Sequence, residues 1–267
     1  MPAGLSVHVG LNSVDPAAYG GWDGRLLACE NDARDMAAVA RAAGFEPTVL
    51  LTPEGTVDRV TAELRKAAGR LEDGDILLFT YSGHGGQVPD EEGDEPDALD
   101  ETLVLFDRQF LDDELHREFR RFSPGVRIFC LLDCCHSGTA TEAASQPGGD
   151  GDAAVRVMPV VRQQQLFERD RAFYQELQRE LRKNGVDGEP GTLLISACQD
   201  DQFALDGRVN GAFTEALLRV WDAGAFSGGY RDFHQAIRER LPRTQVPNLH
   251  TTGSPSPEFL GQKPFTV

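Results

Sequence analysis

Two glycine-bearing turns carry the groups that nucleophilic chemistry requires. Ser82-Gly83-His84-Gly85-Gly86 follows the apolar run Ile76–Tyr81, and Cys135-His136-Ser137-Gly138 follows the run Arg127–Cys134. A thiol nucleophile needs a base within hydrogen-bond reach, backbone N–H groups for an oxyanion, and a wall that excludes water. Cys135 stands where a tight turn displays a thiol, and His84 holds the corresponding place on another strand. The glycines around His84 let a carbonyl approach the backbone. On this reading Cys135 attacks, His84 is its base, and the N–H groups of Gly85 and Cys135 hold the oxyanion. Each residue alone has a plainer reading, the cysteine as a small core hydrophobe and the histidine as a structural turn residue. The pairing of two such turns points to catalysis. Zinc is disfavoured, because the adjacent Cys134, Cys135 and His136 point to opposite faces of a strand and the chain has no C-x-x-C partner.

The elements that position these turns alternate. Leu5–Asn12, Pro47–Thr52, Ile76–Tyr81, Arg127–Cys134 and Thr192–Cys198 read as strands. Asn31–Ala43, Val57–Leu71, Asp113–Arg121, Gly211–Asp222 and Arg231–Leu241 carry helical spacing. This order predicts an α/β sandwich with a mostly parallel central sheet, whose working groups collect at the carboxyl ends of the strands. Two segments break the pattern. Asp90–Glu101 holds eight acids and no base; Thr139–Pro190 joins a Gly/Asp-rich stretch to a charged helical piece, Arg162–Lys183, and reads as an inserted linker.

The 267 residues are enough for one large domain or two small ones. With 26 Lys+Arg against 43 Asp+Glu, the net charge of −17 argues against nucleic acid or an anionic membrane as partner. No apolar run reaches the length of a bilayer span, and the first residues read as a mature start. The odd count of five cysteines, mostly within apolar runs, fits a reducing cytoplasm better than a disulfide framework.

Tyr81-Ser82-Gly83-His84-Gly85 and Asp133-Cys134-Cys135-His136-Ser137-Gly138 resemble the two signatures of metacaspases and their bacterial relatives, the orthocaspases. A His about fifty residues before the Cys is an arrangement already known from caspases. The likeness runs from about Leu5 to near Gly253, and it departs from true caspases, which carry Q-A-C-x-G at the nucleophile. It implies a single caspase-like catalytic domain, a three-layer α/β/α sandwich. Residues 1–144 form a large-subunit-like part, 145–190 the linker and 191–267 a small-subunit-like part. It also implies a pocket for Arg or Lys built from Cys29, Asp32, Ser82 and Asp133, and hence protein or peptide substrates cut after a basic residue. By position alone, Asn31 or Asp32 is equally a helix N-cap. Ser196–Gln202 resembles the strand that lines the same cleft.

The resemblance further implies calcium, held by Asp100, Asp112, Asp113 and Glu142. No organic cofactor is implied. The plainer readings are a solvated acidic loop and, for Asp112-Asp113, an ordinary helix N-terminus; an EF-hand is excluded by Glu95 where the turn glycine belongs. Self-cleavage in the linker has Arg156, Arg162, Arg169 and Arg171 as candidate sites, and the family resemblance implies a monomer. Two other functions stay open: a caspase-like protease with acidic specificity, which Asp32 and Asp133 oppose by charge, and a catalytically idle binding module.

Overall fold

The protein is described here by a computed structural model that covers residues 2–90, 98–135, 154–182, 189–199 and 202–267. The five runs read as strands enter one six-stranded sheet: β1 (Gly4–Gly10), β2 (Glu46–Leu51), β3 (Ile76–Ser82), β7 (Arg127–Asp133) and β8 (Gly191–Ser196), joined by β9 (Asn248–Thr252), a polar edge strand that the apolar pattern did not mark. Their order is β2-β1-β3-β7-β8-β9, parallel throughout except for β9, which runs antiparallel to β8. A parallel sheet is covered on both faces, so its strands need apolar side chains on both.

Alternate residues accordingly feed two cores. Leu77, Phe79 and Tyr81 of β3 and Ile128, Cys130 and Leu132 of β7 meet Val60 and Leu64 of α2 (Val57–Ala68) and Leu115 and Phe119 of α3 (Asp112–Phe119). Ile76, Leu78, Phe129 and Leu131 point the other way. There they meet Met36 of α1 (Cys29–Ala42), Phe213 of α5 (Ala212–Trp221), Phe233 of α6 (Tyr230–Arg238) and Phe259 of α7 (Pro257–Gly261). Each such fully buried side chain contributes about 1.5–3 kcal/mol. The result is the expected α/β/α sandwich.

The described residues of both interrupting segments belong largely to regular structure. The acidic stretch forms the connection of an antiparallel hairpin, β4 (Gly85–Pro89) with β5 (Leu99–Val104), and β6 (Gln109–Leu111) completes a small second sheet. Asp90 and Asp100, at the hairpin's end, are buried; residues 91–97 lie outside the described residues. Within the segment read as a linker, α4 (Val160–Arg182) packs on that small sheet through Phe167, Tyr174, Leu177 and Leu181 against Val88 and Leu111. Among the described residues, no helix is long and apolar enough to cross a membrane.

Candidate active site

The carboxyl ends of β3 and β7 lie side by side, Ser82 paired with Asp133, so His84 and Cys135 follow adjacent strand ends; His136, Ser137 and Gly138 of the second turn lie outside the described residues. Tyr81 fixes the first turn by donating its hydroxyl to the His84 carbonyl (2.6 Å) and the Val104 carbonyl (3.0 Å). The His84 ring is buried beneath Trp22, with ring centres 4.9 Å apart. Its Nε2–H donates to the Gly24 carbonyl at 3.0 Å. A carbonyl only accepts, so the proton belongs on Nε2 and Nδ1 keeps its lone pair. Nδ1 is buried, with the Val157 backbone against the ring, and makes no hydrogen bond of ordinary geometry among the described residues. Burial, against the opposing pull of the Gly24 hydrogen bond, lowers the His84 pKa to about 4, so the ring is a neutral base at ordinary pH.

A stretch of the chain's own backbone, residues 154–158, runs through the cleft between these turns. The Arg156 carbonyl accepts from the N–H of Cys135 (3.1 Å) and the N–H of Gly85 (3.1 Å), the two donors read from the sequence. The Arg156 N–H donates to the Ala204 carbonyl (3.0 Å), and Asp206 N–H donates to the Ala154 carbonyl (2.7 Å). Beyond Arg156, the Met158 N–H donates to the Gly85 carbonyl (2.8 Å). The segment is thus bridged on both sides of a bend at Arg156, Val155 to Leu205 and Val157 to Gly85. The Cys135 thiol is buried and rests against the Ala204 N–H.

The Arg156 side chain is wholly buried. One guanidinium nitrogen reaches Asp133 Oδ2 (2.9 Å) and Ser82 Oγ (2.8 Å); the other reaches Asp32 Oδ2 (2.7 Å) and Asp206 Oδ1 (2.9 Å). Ser82 donates in turn to Asp32 at 2.7 Å. The Cys29 thiol lines the same pocket, and burial pushes its pKa up to about 12 although Arg156 acts to lower it. The structure therefore gathers Cys29, Asp32, Ser82 and Asp133 around one cation. Asp32 is not an N-cap, since α1 begins at Cys29 and the Asp32 carboxylate is turned inward.

Three carboxylates around one guanidinium need further compensation, because buried charge left unpaired is costly. The amino end of α5 supplies it. Gly211 N–H donates to Asp32 (3.0 Å), and Thr214 donates to Asp133 from its N–H (3.2 Å) and its hydroxyl (2.6 Å). Helix N-termini present unpaired N–H groups and a positive dipole end. Asp206 is tied by the N–H groups of Leu27 (2.7 Å) and Ala28 (3.3 Å) ahead of α1. Burial raises the Asp133 pKa, and Arg156 draws it back down.

Asp206 is the pocket residue that the motifs did not reveal. It follows Ser196–Gln202 closely in sequence, but nothing local marks it, and it reaches the pocket only through the return of the chain between β8 and α5. The other arginines considered for cleavage, Arg162, Arg169 and Arg171, lie on α4. Arg162 donates to the Gly20 carbonyl, while Arg169 pairs with Asp170 and Arg171 with Glu168.

The acids read as calcium ligands sit elsewhere. Thr102 pairs with Leu111, which brings the Asp100–Glu101 end of β5 beside Asp112 and Asp113. Burial raises the Asp112 pKa well above the usual carboxylate range, and Asp113, Glu101 and Asp100 push it the same way. Gln178 of α4 donates to Asp100. Glu142 lies outside the described residues. Among the described residues, no three His, Cys, Asp or Glu side chains are grouped closely enough to hold a metal ion as they stand.

Residues 14–257 match the family described as Caspase domain. The chain is similar to Metacaspase-1 of Mycosarcoma maydis, 29% identical over 278 residues that cover 88% of this chain and 68% of that protein. It is also similar to Metacaspase-1A of Aspergillus fumigatus, 37% identical over 139 residues covering 46% of this chain and 34% of the relative, so the match spans about a third of that protein's length. Among solved structures, protein GSU0716 from Geobacter sulfurreducens superposes with a TM-score of 0.89 at 47% identity, covering 100% of this chain and 99% of that one. Caspase-1 from Spodoptera frugiperda superposes at 0.56 with 12% identity, covering 93% and 86%, a likeness of fold.

Proposed function

The chain belongs to the caspase domain family and is a metacaspase-like cysteine peptidase, and from that premise we propose that it cuts polypeptides after Arg or Lys and processes itself between Arg156 and Val157. One observation carries this reading: a wholly buried arginine whose guanidinium meets three carboxylates while its carbonyl rests on the N–H groups of Cys135 and Gly85. A pocket this acidic favours a cation and rejects an aspartate, which disfavours the acidic-specificity alternative.

In the proposed reaction His84 Nδ1 takes the Cys135 thiol proton. The thiolate attacks the arginyl carbonyl carbon, and the oxyanion forms between the two N–H donors. In other hydrolases, removing one such donor costs roughly 3 kcal/mol of transition-state stabilisation. His84 then returns the proton to the departing amine as the peptide bond breaks, leaving a thioester on Cys135. Water, deprotonated by His84, attacks that thioester and releases the carboxylate product and the thiol. The Gly24 carbonyl holds the Nε2 proton throughout and stabilises the transient imidazolium.

Arg156 is the favoured self-cleavage site because its carbonyl sits on the Cys135 and Gly85 N–H groups and its neighbours Val155 and Val157 are bridged across the cleft, whereas Arg162, Arg169 and Arg171 are on α4 and cannot thread it while that helix is folded. Calcium is the proposed activator. Hard oxygen donors suit it, and a divalent cation would relieve the mutual repulsion of Asp100, Asp112 and Asp113. Binding there would require these acids to close up and Gln178 to release Asp100. A monomeric, cytoplasmic enzyme is the accompanying proposal; none of the five buried cysteines is joined in a disulfide, which suits a reducing compartment.

The test is turnover of matched arginyl, lysyl and aspartyl coumarin peptides, with calcium or with chelator, alongside Cys135→Ala. Arginyl or lysyl turnover that needs Cys135 and calcium is expected. Turnover of the aspartyl peptide alone would overturn the pocket, and turnover unaffected by chelator would remove calcium from the scheme. An inert wild-type protein whose Cys135 also resists alkylation would favour a binding module.

A further inference from the structure

The segment in the cleft continues past the proposed cut, and its second residue there is seated as deeply as Arg156. Met158 is fully buried. Its side chain lies in an apolar cluster with Val14, Tyr19, Val104 and Leu166, and Trp22 packs at the margin. Gly86 forms part of the wall: a β-carbon there would come within 3.2 Å of Met158 Cε, so the methionine extends to the sheet backbone. The Tyr19 hydroxyl is turned away and donates to the Leu105 carbonyl at 2.6 Å, so the ring offers its carbon face to the cluster.

The backbone around Met158 is held as substrate backbone would be. Its N–H donates to the Gly85 carbonyl, continuing the parallel pairing of the segment with β4. The next link in such a ladder would join the Met158 carbonyl to the Gln87 N–H. The chain instead turns at Pro159 into α4, and the side-chain amide of Gln163 fills the gap: its Nε2 donates to the Met158 carbonyl (2.6 Å) and its Oε1 accepts from the Gln87 N–H (2.9 Å). A side chain here replaces one peptide group of an extended strand. Three of the four fully buried partners of Met158, namely Val14, Tyr19 and Val104, belong to the body of the enzyme rather than to α4.

We propose that the leaving-group side of the cleft contains an apolar pocket for the second residue after the cut, and that it selects polypeptides with a long, unbranched or γ-branched apolar side chain there, such as Met or Leu. This deepens the proposed function and rests on the segment lying in the cleft as a substrate does. A charged residue at that position would enter a cluster of apolar side chains whose polar neighbours at the Gly86 wall, Gln109 and Thr102, carry no compensating charge, and be rejected. A shorter one would leave the pocket unfilled, and one or two missing methylenes in an apolar pocket change kcat/KM by roughly 10- to 200-fold.

The experiment uses the full chain activated with calcium and quenched peptides Ala-Val-Arg-Val-X, with X as Met, Leu, Ala or Asp. Met and Leu peptides should exceed Ala and Asp in kcat/KM by about tenfold or more. Equal values across the four would overturn the pocket and leave Met158 as an anchor for α4 only. An arginyl coumarin, which has no residue after the cut, reads the arginine preference separately. If it too is refused, the underlying reading fails and the pocket fails with it. Within the chain, Met158→Leu should keep self-cleavage near the wild-type rate while Met158→Asp slows it at least about tenfold; an Asp variant that cuts itself at the wild-type rate would also overturn the proposal. The peptide series leaves the protein unaltered, so misfolding of the variant cannot mask the answer.

Discussion

At the scale of single residues, what decides the chemistry is compensation of charge in a dry place. Asp32, Asp133 and Asp206 are each held by N–H or hydroxyl donors as well as by the guanidinium that sits among them. Gly211 sets one limit of the guanidinium's seat. A β-carbon on Gly211 would come within 2.5 Å of the guanidinium carbon of Arg156, yet its φ of −62° suits any residue. Gly211→Ala should therefore leave the backbone unstrained but crowd the guanidinium seat, which in the uncut chain Arg156 itself fills. It should lower the stability of the uncut chain by about 1–3 kcal/mol, the range typical of overpacking, and arginyl turnover by roughly 10- to 100-fold. Paired arginyl and lysyl coumarin assays, with circular dichroism as the fold control, check this. Undiminished arginyl turnover would mean that a substrate arginine does not occupy the place of Arg156.

At the scale of elements, the sheet carries a second buried histidine that no catalytic step uses. His8 of β1 bonds Thr80 Oγ1 and Ser6 Oγ, both at 2.9 Å, and burial followed by the charge of Arg41 lowers its pKa to about 3. In the unfolded chain it titrates near 6.5. Between pH 6.5 and 3 the unfolded state thus binds a proton that the folded state refuses, and His8 lowers stability progressively as pH falls, by up to about 1.4 kcal/mol per pH unit. His84, lowered to about 4, acts in the same direction, whereas Asp112 and Asp133, raised by burial, act in the opposite one. A comparison with His8→Gln isolates the effect. Urea unfolding should show the variant less stable than wild type near pH 7, with the gap narrowing as pH falls below 6.5. A gap independent of pH would show that His8 titrates normally in the folded protein.

At the scale of the molecule, the proposed cut divides the chain inside one continuous sheet. β7 ends before Arg156 and β8 begins after it, and the two pair in parallel over six residues, Arg127–Leu132 with Gly191–Ser196. Phe129 and Leu131 on one side of the cut share a core with Leu193, Ile195, Phe213 and Phe233 on the other. A chain cut after Arg156 should therefore remain one particle. It should elute from a sizing column with the uncut protein while denaturing electrophoresis resolves two fragments. Separation of the fragments without denaturant would show that the parallel strands and the shared core do not hold the halves together.

The sequence by itself determined five strands of the central sheet, because strands buried on both faces must be written as unbroken apolar runs, and Ile76–Tyr81 and Arg127–Cys134 are such runs; β9, an edge strand reading Asn-Leu-His-Thr-Thr with no buried residue, left no such trace. It also marked His84 and Cys135, since a base and a thiol on glycine-bearing turns leave a local trace. The small sheet left none: β4 holds two glycines and a proline, and β5 carries Asp100 and Glu101, so neither follows an apolar alternation. Only the tertiary structure decided which of the many linker arginines lies in the cleft, because Arg156 differs from Arg162 or Arg169 not in its neighbours but in reaching three carboxylates from distant parts of the chain. It likewise decided Asp206 and the seat of Met158. A residue's own segment records the strand or turn it belongs to, whereas a pocket assembled from β7, α1 and the return into α5 exists only once those elements have packed.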